Sequence, residues 1–330
     1  MTIKEIAQLA GVSSAAVSRY LNEGYVSEEK REKIKKVIET TGYRPSAQAR
    51  MLRTKKACLV GVIVPKINSE SISRVTAGIS QVLSARGYQM LLAITDNYSK
   101  KELEYIDLFE NYPVDGIILA GTVVSARHKK TFKEAKVPIV VVGQKVREVS
   151  CVYHDDYDAA KQMAQYAAKM SQKRLAYIGV SREDKAAGAA RTDGFFAGLK
   201  AAGRTPDERL YREAKFTMES GYAQAMDLMK KESDIDIISC ATDTIAAGAI
   251  EAIREYNNDH EANMKVTGFG DNRFLRAVTG GITTVHFAYK TSGIKSAELL
   301  LEMIEKGHTV PVQIKLGYEM ISGLNGQLSM

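Results

Sequence analysis

From residue 59 onward the chain alternates between short apolar runs of strand length and longer helical stretches, and this alternation restricts the fold more than any other feature. The runs at 59–65, 88–95, 114–120, 137–143, 174–180, 236–241, 266–270 and 282–287 are rich in Val, Ile and Leu, and most end in Gly, Pro, Asp or Thr. Helical periodicity fills stretches such as 71–86, 157–169, 189–202, 242–256 and 291–306. Strands that alternate with helices give parallel sheets with helices on both faces. The runs are too many for one comfortable sheet, so the expected core is α/β, with two doubly wound parallel-sheet lobes. Ligands in such folds sit outside the carboxyl ends of the strands.

Residues 1–56 follow a different rhythm. Ile3, Ile6, Ala7 and Ala10 recur at helical spacing, and Gly11 then permits a tight turn. Ser13 is placed to cap a second short helix, Ser14 to Asn22, with Val17 and Leu21 turned inward. Two short helices around such a turn read as a helix-turn-helix, whose second helix is shaped for a major groove. A third helix follows from Ser27, closing a small core with Ile34, Val37 and Ile38 before Gly42. Charge points the same way. Residues 1–56 hold 12 basic and 6 acidic residues, a net of +6, whereas the remaining 34 basic and 33 acidic residues contribute +1. A basic block on a small folded unit is the footprint expected of phosphate binding.

The segment 44–56 reads as a hinge. Pro45 blocks continuation of the third helix, Ser46 can cap a new one, and the new helix is too short to be stable alone. Leu52 has no core of its own there: it suits a wedge into a minor-groove base step, or a linker residue packed back on the core. The expected domains are a head over 1–43, the hinge over 44–56 and a core over 57–330. Within the core, the N-lobe is placed at about 57–157 and 288–316, and the C-lobe at about 158–287 and 317–330.

Composition is that of a globular protein, with 45% hydrophobic and 26% charged residues. No apolar run is long enough to span a bilayer, so no membrane partner is expected. Cys58, Cys151 and Cys240 lie far apart, which argues against disulfides or a zinc site and fits an expected location in a reducing cytoplasm. The five histidines show no metal-ligand spacing, and no phosphate-binding loop, nucleophile elbow or zincin motif occurs. Gly268-Phe269-Gly270-Asp271 lacks the third glycine of a dinucleotide fingerprint. Neither a cofactor, a metal nor an enzymatic activity is expected.

Three sets of residues carry a family resemblance. They are Thr2-Ile3-Lys4-Glu5-Ile6-Ala7 with Gly11-Val12-Ser13 and Val17-Ser18-Arg19; Gly42-Tyr43-Arg44-Pro45 with Ala49-Arg50 and Leu52; and Gly61-Val62-Ile63-Val64-Pro65, Val114-Asp115-Gly116-Ile117-Ile118, Ala241-Thr242-Asp243 and Gly268-Phe269-Gly270-Asp271 in the core. With these the whole chain resembles the LacI/GalR family of bacterial transcriptional repressors. Within it, Lys66-Ile67-Asn68-Ser69-Glu70-Ser71, Cys151-Val152-Tyr153-His154-Asp155-Asp156 and Cys240-Ala241-Thr242-Asp243-Thr244 resemble the trehalose and sucrose repressors. The resemblance implies a homodimer on a pseudo-palindromic operator in double-stranded DNA and a periplasmic-binding-protein-like core whose cleft holds a sugar or sugar phosphate. It assigns DNA contacts to Thr2, Ser14, Ala15, Ala16, Arg19, Asn22, Tyr25, Ser27 and Lys30, and to Ser46, Ala49, Arg50 and Leu52 of the hinge. It assigns the effector to Lys66, Ser69, Ser71, Ile72, Gln144, Tyr153, Arg191, Thr242, Asp271 and Phe287. Tyr153 or Phe287 would stack on a sugar face, and Lys66 bears on whether the effector is phosphorylated. The implied mechanism is lobe movement that separates paired hinge helices and releases the operator. The alternatives are a catabolite regulator whose core docks a phosphocarrier protein, and a sugar-binding protein or enzyme with an incidental basic head.

Overall fold

The computed structural model describes residues 1–22, 24–43, 56–257, 264–307 and 310–323. The chain divides into two compact units, Met1–Cys58 and Leu59–Met330.

In the first unit, helix α1 (Ile3–Ala10) opens on a capping box. The Thr2 hydroxyl accepts the Glu5 N–H, and the Glu5 carboxylate accepts the Thr2 N–H. Gly11 ends the helix in the left-handed region at φ 64°, where a side chain would be strained. Ser13 then caps α2 (Ser14–Tyr20) by accepting the Ala16 N–H at 3.2 Å. Helix α3 (Glu28–Thr41) follows, with Ile34 fully buried against Ile6, Ala7, Ala10 and Val17. Ser27 occupies the N-cap position of α3, but its hydroxyl makes no capping bond. The hinge residues Ser46, Ala49, Arg50 and Leu52 lie outside the described residues.

The second unit contains two six-stranded sheets. The first holds β1 (Leu59–Val64), β2 (Gln89–Ile94), β3 (Gly116–Leu119), β4 (Ile139–Val142), β5 (Ser150–His154) and β11 (Gln313–Leu316), in the order β11-β5-β4-β3-β1-β2. The second holds β6 (Arg174–Val180), β7 (Tyr211–Ala214), β8 (Ile235–Cys240), β9 (Lys265–Phe269), β10 (Thr283–Phe287) and β12 (Tyr318–Ile321), in the order β12-β10-β9-β8-β6-β7. Strand pairing is parallel throughout except between β10 and β12. The chain crosses between the sheets after β5, after β10 and after β11, so three connections join the lobes.

The N-lobe helices are α4 (Glu70–Ala85), α5 (Ser99–Asn111), α6 (Ala126–Glu134) and α12 (Tyr289–Lys306). The C-lobe helices are α7 (Asp156–Met170), α8 (Arg191–Ala201), α9 (Met218–Lys231), α10 (Asp243–Tyr256) and α11 (Arg273–Thr279). Val60, Val62 and Val64 face one side of the first sheet and Ile63 the other; both faces are covered, so the strands are apolar without alternation. A π-helical segment, Lys185–Ala190, runs directly into α8. π segments cluster at functional sites, because they re-aim the side chains that follow. Here the side chain that follows is Arg191.

Candidate functional site

A cleft opens between the two sheets at the carboxyl ends of their strands. Its walls come from the residues after β1 (Pro65, Lys66), after β3 (Gly121, Thr122), after β4 (Gly143, Gln144) and after β8 (Thr242, Asp243). Parallel strands leave their connecting loops at one end, which is why residues so far apart in sequence meet there.

Arg191 forms the floor. It is 6% exposed, and its guanidinium lies against both the Phe269 and Phe287 rings, 5.0 Å from each centroid. Nε and Nη2 both reach Asp156 Oδ1 at 2.8 Å, and Nη1 donates to the Ala241 carbonyl at 2.6 Å. Burial works against the charged guanidinium, but the Asp156 carboxylate outweighs it and holds the arginine firmly protonated. The floor is therefore a pre-oriented hydrogen-bond donor whose charge is already matched by its neighbour.

Carboxyl groups surround it. Asp184 Oδ1 accepts the N–H groups of Ala186 and Ala187 and caps the π segment, and it also accepts Gln144 Nε2 from the opposite lobe at 2.9 Å. Burial pushes the Asp184 carboxyl above its ordinary range. Asp243 accepts the Thr284 hydroxyl and the Asn272 N–H, both at 2.7 Å, and burial raises its pKa to about 6. Gly268 is what admits it: a Cβ there would stand 2.2 Å from Asp243 Oδ1. The Gly268-Phe269-Gly270 motif thus makes room for a carboxylate. His154, tilted at 45° against the Phe287 ring with centroids 4.9 Å apart, is held neutral because burial drops its pKa to about 4. Its Nε2 is buried at the cleft wall with no hydrogen-bond partner among the described residues.

Direct polar links cross the cleft at several points. Besides Gln144 to Asp184, Lys66 Nζ donates to the Phe216 carbonyl at 2.9 Å. Arg74 donates to the Asp271 carbonyl at 2.9 Å, and Arg273 reaches Glu70 at 3.1 Å. Burial lowers the Lys66 pKa.

Of the residues expected at the effector, Lys66, Ser69, Ser71, Ile72, Gln144, Arg191 and Thr242 line the cleft. The Ser69 and Ser71 hydroxyls bond each other at 2.8 Å, and Thr242 caps α10. Three expectations need correction. Tyr153 points away from the cleft into the other face of its sheet and packs under Lys145; its neighbour His154 takes the cleft wall. Phe287 is fully buried, with its ring committed to Arg191 and His154, so it supports the floor without offering a face to a sugar. Asp271 turns its carboxylate to Arg276 at 2.7 Å and His286 at 2.9 Å, and these partners hold it low against the effect of burial. Its places at the wall are taken by Asp243 and Asn272.

The sequence reading missed His154, Asp156, Asp184 and Asp243. Asp243 enters the sequence reading only as part of the Ala241-Thr242-Asp243 motif.

On the head, Ser14, Ala15, Arg19, Tyr25, Ser27 and Lys30 are exposed, Tyr25 by 86%. Thr2 is exposed at the start of α1, and the Asn22 amide donates to the Ser18 carbonyl. Ala16 is a correction. It is 7% exposed and belongs to the head core, so its methyl is spent on packing and not presented to a base.

Comparison with known proteins agrees with this architecture. Residues 57–321 match the family described as periplasmic binding proteins and sugar binding domain of LacI family, and residues 2–46 match the bacterial regulatory proteins of the lacI family. The sucrose operon repressor of Staphylococcus xylosus is 29% identical over 306 residues, covering 92% of this chain and 93% of that protein. Catabolite control protein A of Priestia megaterium is 27% identical, covering 93% of each. Among solved structures, a transcriptional regulator CelR–cellobiose complex is 26% identical with a TM-score of 0.74, covering 98% of this chain and 99% of that one. The lac repressor dimer bound to operator and an anti-inducer shares the fold, with a TM-score of 0.86 at 20% identity over 100% of this chain and 99% of that one. With a helix-turn-helix head and a two-lobed sugar-binding-type core, the chain belongs to the LacI family of DNA-binding transcriptional repressors.

Proposed function

We propose that this protein represses a carbohydrate-utilisation operon as a homodimer on a pseudo-palindromic operator, and that an uncharged sugar of disaccharide size releases it. The observation that carries the choice of effector is the charge balance of the cleft. Four carboxyl groups, Glu70, Asp156, Asp184 and Asp243, line it against two cations, Lys66 and Arg191. Arg191 is already matched by Asp156 and Glu70 by Arg74 and Arg273, while Lys66 is half-buried with its ammonium on a carbonyl, which leaves Asp184 and Asp243 to set the sign of the wall. A phosphate dianion entering such a site meets a net negative wall and no second free cation among the described lining residues. Sugar hydroxyls, by contrast, act as donors to carboxylates and as acceptors from Arg191, Asn272 and the Ser69–Ser71 pair. A disaccharide is favoured by two relatives, one named for the sucrose operon and one solved with cellobiose.

The ligand is bound, not transformed. Its role is to stabilise one arrangement of the lobes, and it acts only through its different affinity for the two arrangements. The DNA contacts proposed for the head are Thr2, Ser14, Ala15, Arg19, Asn22, Tyr25, Ser27 and Lys30. Because Ser14 and Ala15 are short, Arg19 is left as the side chain suited to a guanine edge, and DNA shape carries the rest of the specificity.

Calorimetric titration of the full chain with sucrose, trehalose and cellobiose, each beside its 6-phosphate, tests the effector class. Binding of one neutral disaccharide at least tenfold tighter than its 6-phosphate is expected. Preference for a 6-phosphate would overturn the charge argument. Chromatography of the recovered sugar checks that nothing has been hydrolysed.

A further inference from the structure

The core carries a second block of positive charge. Helix α6 and the residues just after it hold Arg127, Lys129, Lys130, Lys133 and Lys136, and the β4–β5 loop adds Lys145 and Arg147. Between residues 125 and 147 these seven face one acid, Glu134, a net of +6. The head also carries +6 and the whole chain +7, so everything else sums to −5. The charge is a local feature and not a general property of the core.

All seven side chains are exposed. The contact of Lys129 with Glu148 at 3.1 Å joins α6 to the loop, so the two sets form one surface. Three carboxylates border it. Glu148 is held low by Lys129, with Lys133 adding to the effect; Glu134 lies 3.9 Å from Lys130; Glu110 accepts the Lys136 backbone N–H. Arg127, Lys136 and Arg147 have no ion-pair partner among the described residues. No large apolar side chain is exposed within this stretch. Protein–protein interfaces anchor on aromatic or aliphatic residues and are poor in lysine. A lysine-rich face with no apolar anchor fits a partner recognised through its charge alone, as the phosphates of a nucleic acid are.

We infer that this face of the core binds the phosphate backbone of double-stranded DNA without regard to sequence, as a contact additional to that of the head. The inference rests on the reading that the head binds DNA. Each phosphate neutralised releases condensed counterions, so each adds about 0.9 to the slope of log affinity against log salt.

The test uses the full chain and a duplex of about 40 base pairs of arbitrary sequence, titrated from about 50 to 200 mM salt. The triple variant Lys130→Glu, Lys133→Glu, Lys136→Glu is compared with Lys169→Glu, Lys200→Glu, Lys230→Glu. The second triple makes the same charge change at exposed C-lobe positions. Circular dichroism melting confirms that both remain folded. The α6 variant is expected to lose about 2 to 3 from the salt slope and at least tenfold in affinity, while the control stays within about twofold of the parent. Equal losses in both triples would assign the effect to net charge and overturn the inference. An α6 variant with unchanged DNA binding that no longer adheres to immobilised polyglutamate would overturn it too, in favour of an acidic protein partner. Failure of the parent chain to bind any duplex at low salt would instead remove the reading of the head.

Discussion

At the scale of single residues, His154 and Asp243 pull the pH dependence of stability in opposite directions. Asp243 has a folded pKa of about 6 against an ordinary 3.8, so the folded state holds its proton more tightly. That contribution is fully present below about pH 3.8 and is lost as pH rises through 6. His154 has a folded pKa of about 4 against an ordinary 6.5, so the unfolded state binds the proton more tightly, and stability is lost as pH falls from 6.5 through 4. At 1.36 kcal/mol per unit each effect is worth about 3 kcal/mol, and the two nearly cancel. Asp184, also raised by burial, adds to the direction of Asp243. Urea unfolding between pH 4 and 7 exposes each partner when the other is removed. Asp243→Asn is expected to leave stability rising with pH, and His154→Gln to leave it falling. Parallel curves for the two variants would contradict the assignment. Asp156 makes a separate case. Asp156→Asn strands a buried guanidinium, and breaking such a pair costs about 3–5 kcal/mol. Chemical unfolding should register that loss, and titration with the effector sugar at least a tenfold loss of affinity.

At the scale of elements, helices meet through glycines. A Cβ on Gly78 of α4 would stand 2.2 Å from the Lys290 carbonyl oxygen, and one on Gly293 of α12 would stand 2.0 Å from that of Val75. Gly194 of α8 and Gly248 of α10 meet backbone oxygens equally closely. Alanine normally gains about 1 kcal/mol over glycine inside a helix. Here overpacking reverses the sign, and Gly78→Ala should destabilise by about 1–3 kcal/mol in urea unfolding. A stabilised variant would show that α4 and α12 have room to separate. The same scale explains what the sequence could and could not say. Doubly covered strands such as β1 and β4 read plainly as apolar runs, and the turn at Gly11 announced itself by residue type. Strand β5, Ser150–His154, carries mixed side chains and no clear alternation. Without its register, Tyr153 was placed in the cleft and His154 was not, because one step along a strand exchanges its faces. Asp271 and Phe287 were misplaced for a different reason. Their positions along the chain were right to within a residue or two, but their side chains are claimed by Arg276, His286 and Arg191. Sequence does not reveal such partners when they lie on other elements.

At the scale of the whole molecule, the lobes of the core are joined by polar links as well as by three chain crossings. Arg74 is the busiest of these: it pairs with Glu70 on its own helix and donates to the Gly270 and Asp271 carbonyls across the cleft. It is not part of the cleft lining. Charge-assisted hydrogen bonds of this kind contribute about 1.5–3 kcal/mol each. Arg74→Ala should therefore shift the sugar concentration needed for half-release of DNA about tenfold or more, upward if the links belong to the sugar-favoured arrangement and downward if they belong to the DNA-bound one. An unchanged half-release concentration would mean that these links do not distinguish the two lobe arrangements. On the proposed function, a neutral disaccharide in the cleft controls the grip on DNA. Fluorescence anisotropy of a labelled duplex from the gene's own upstream region measures this directly, with protein added first and then sucrose, trehalose, cellobiose and their 6-phosphates in turn. Tight binding that one unphosphorylated disaccharide alone reverses is the expected result. Tight binding that no sugar moves would contradict it and point to a regulator controlled through a docked protein.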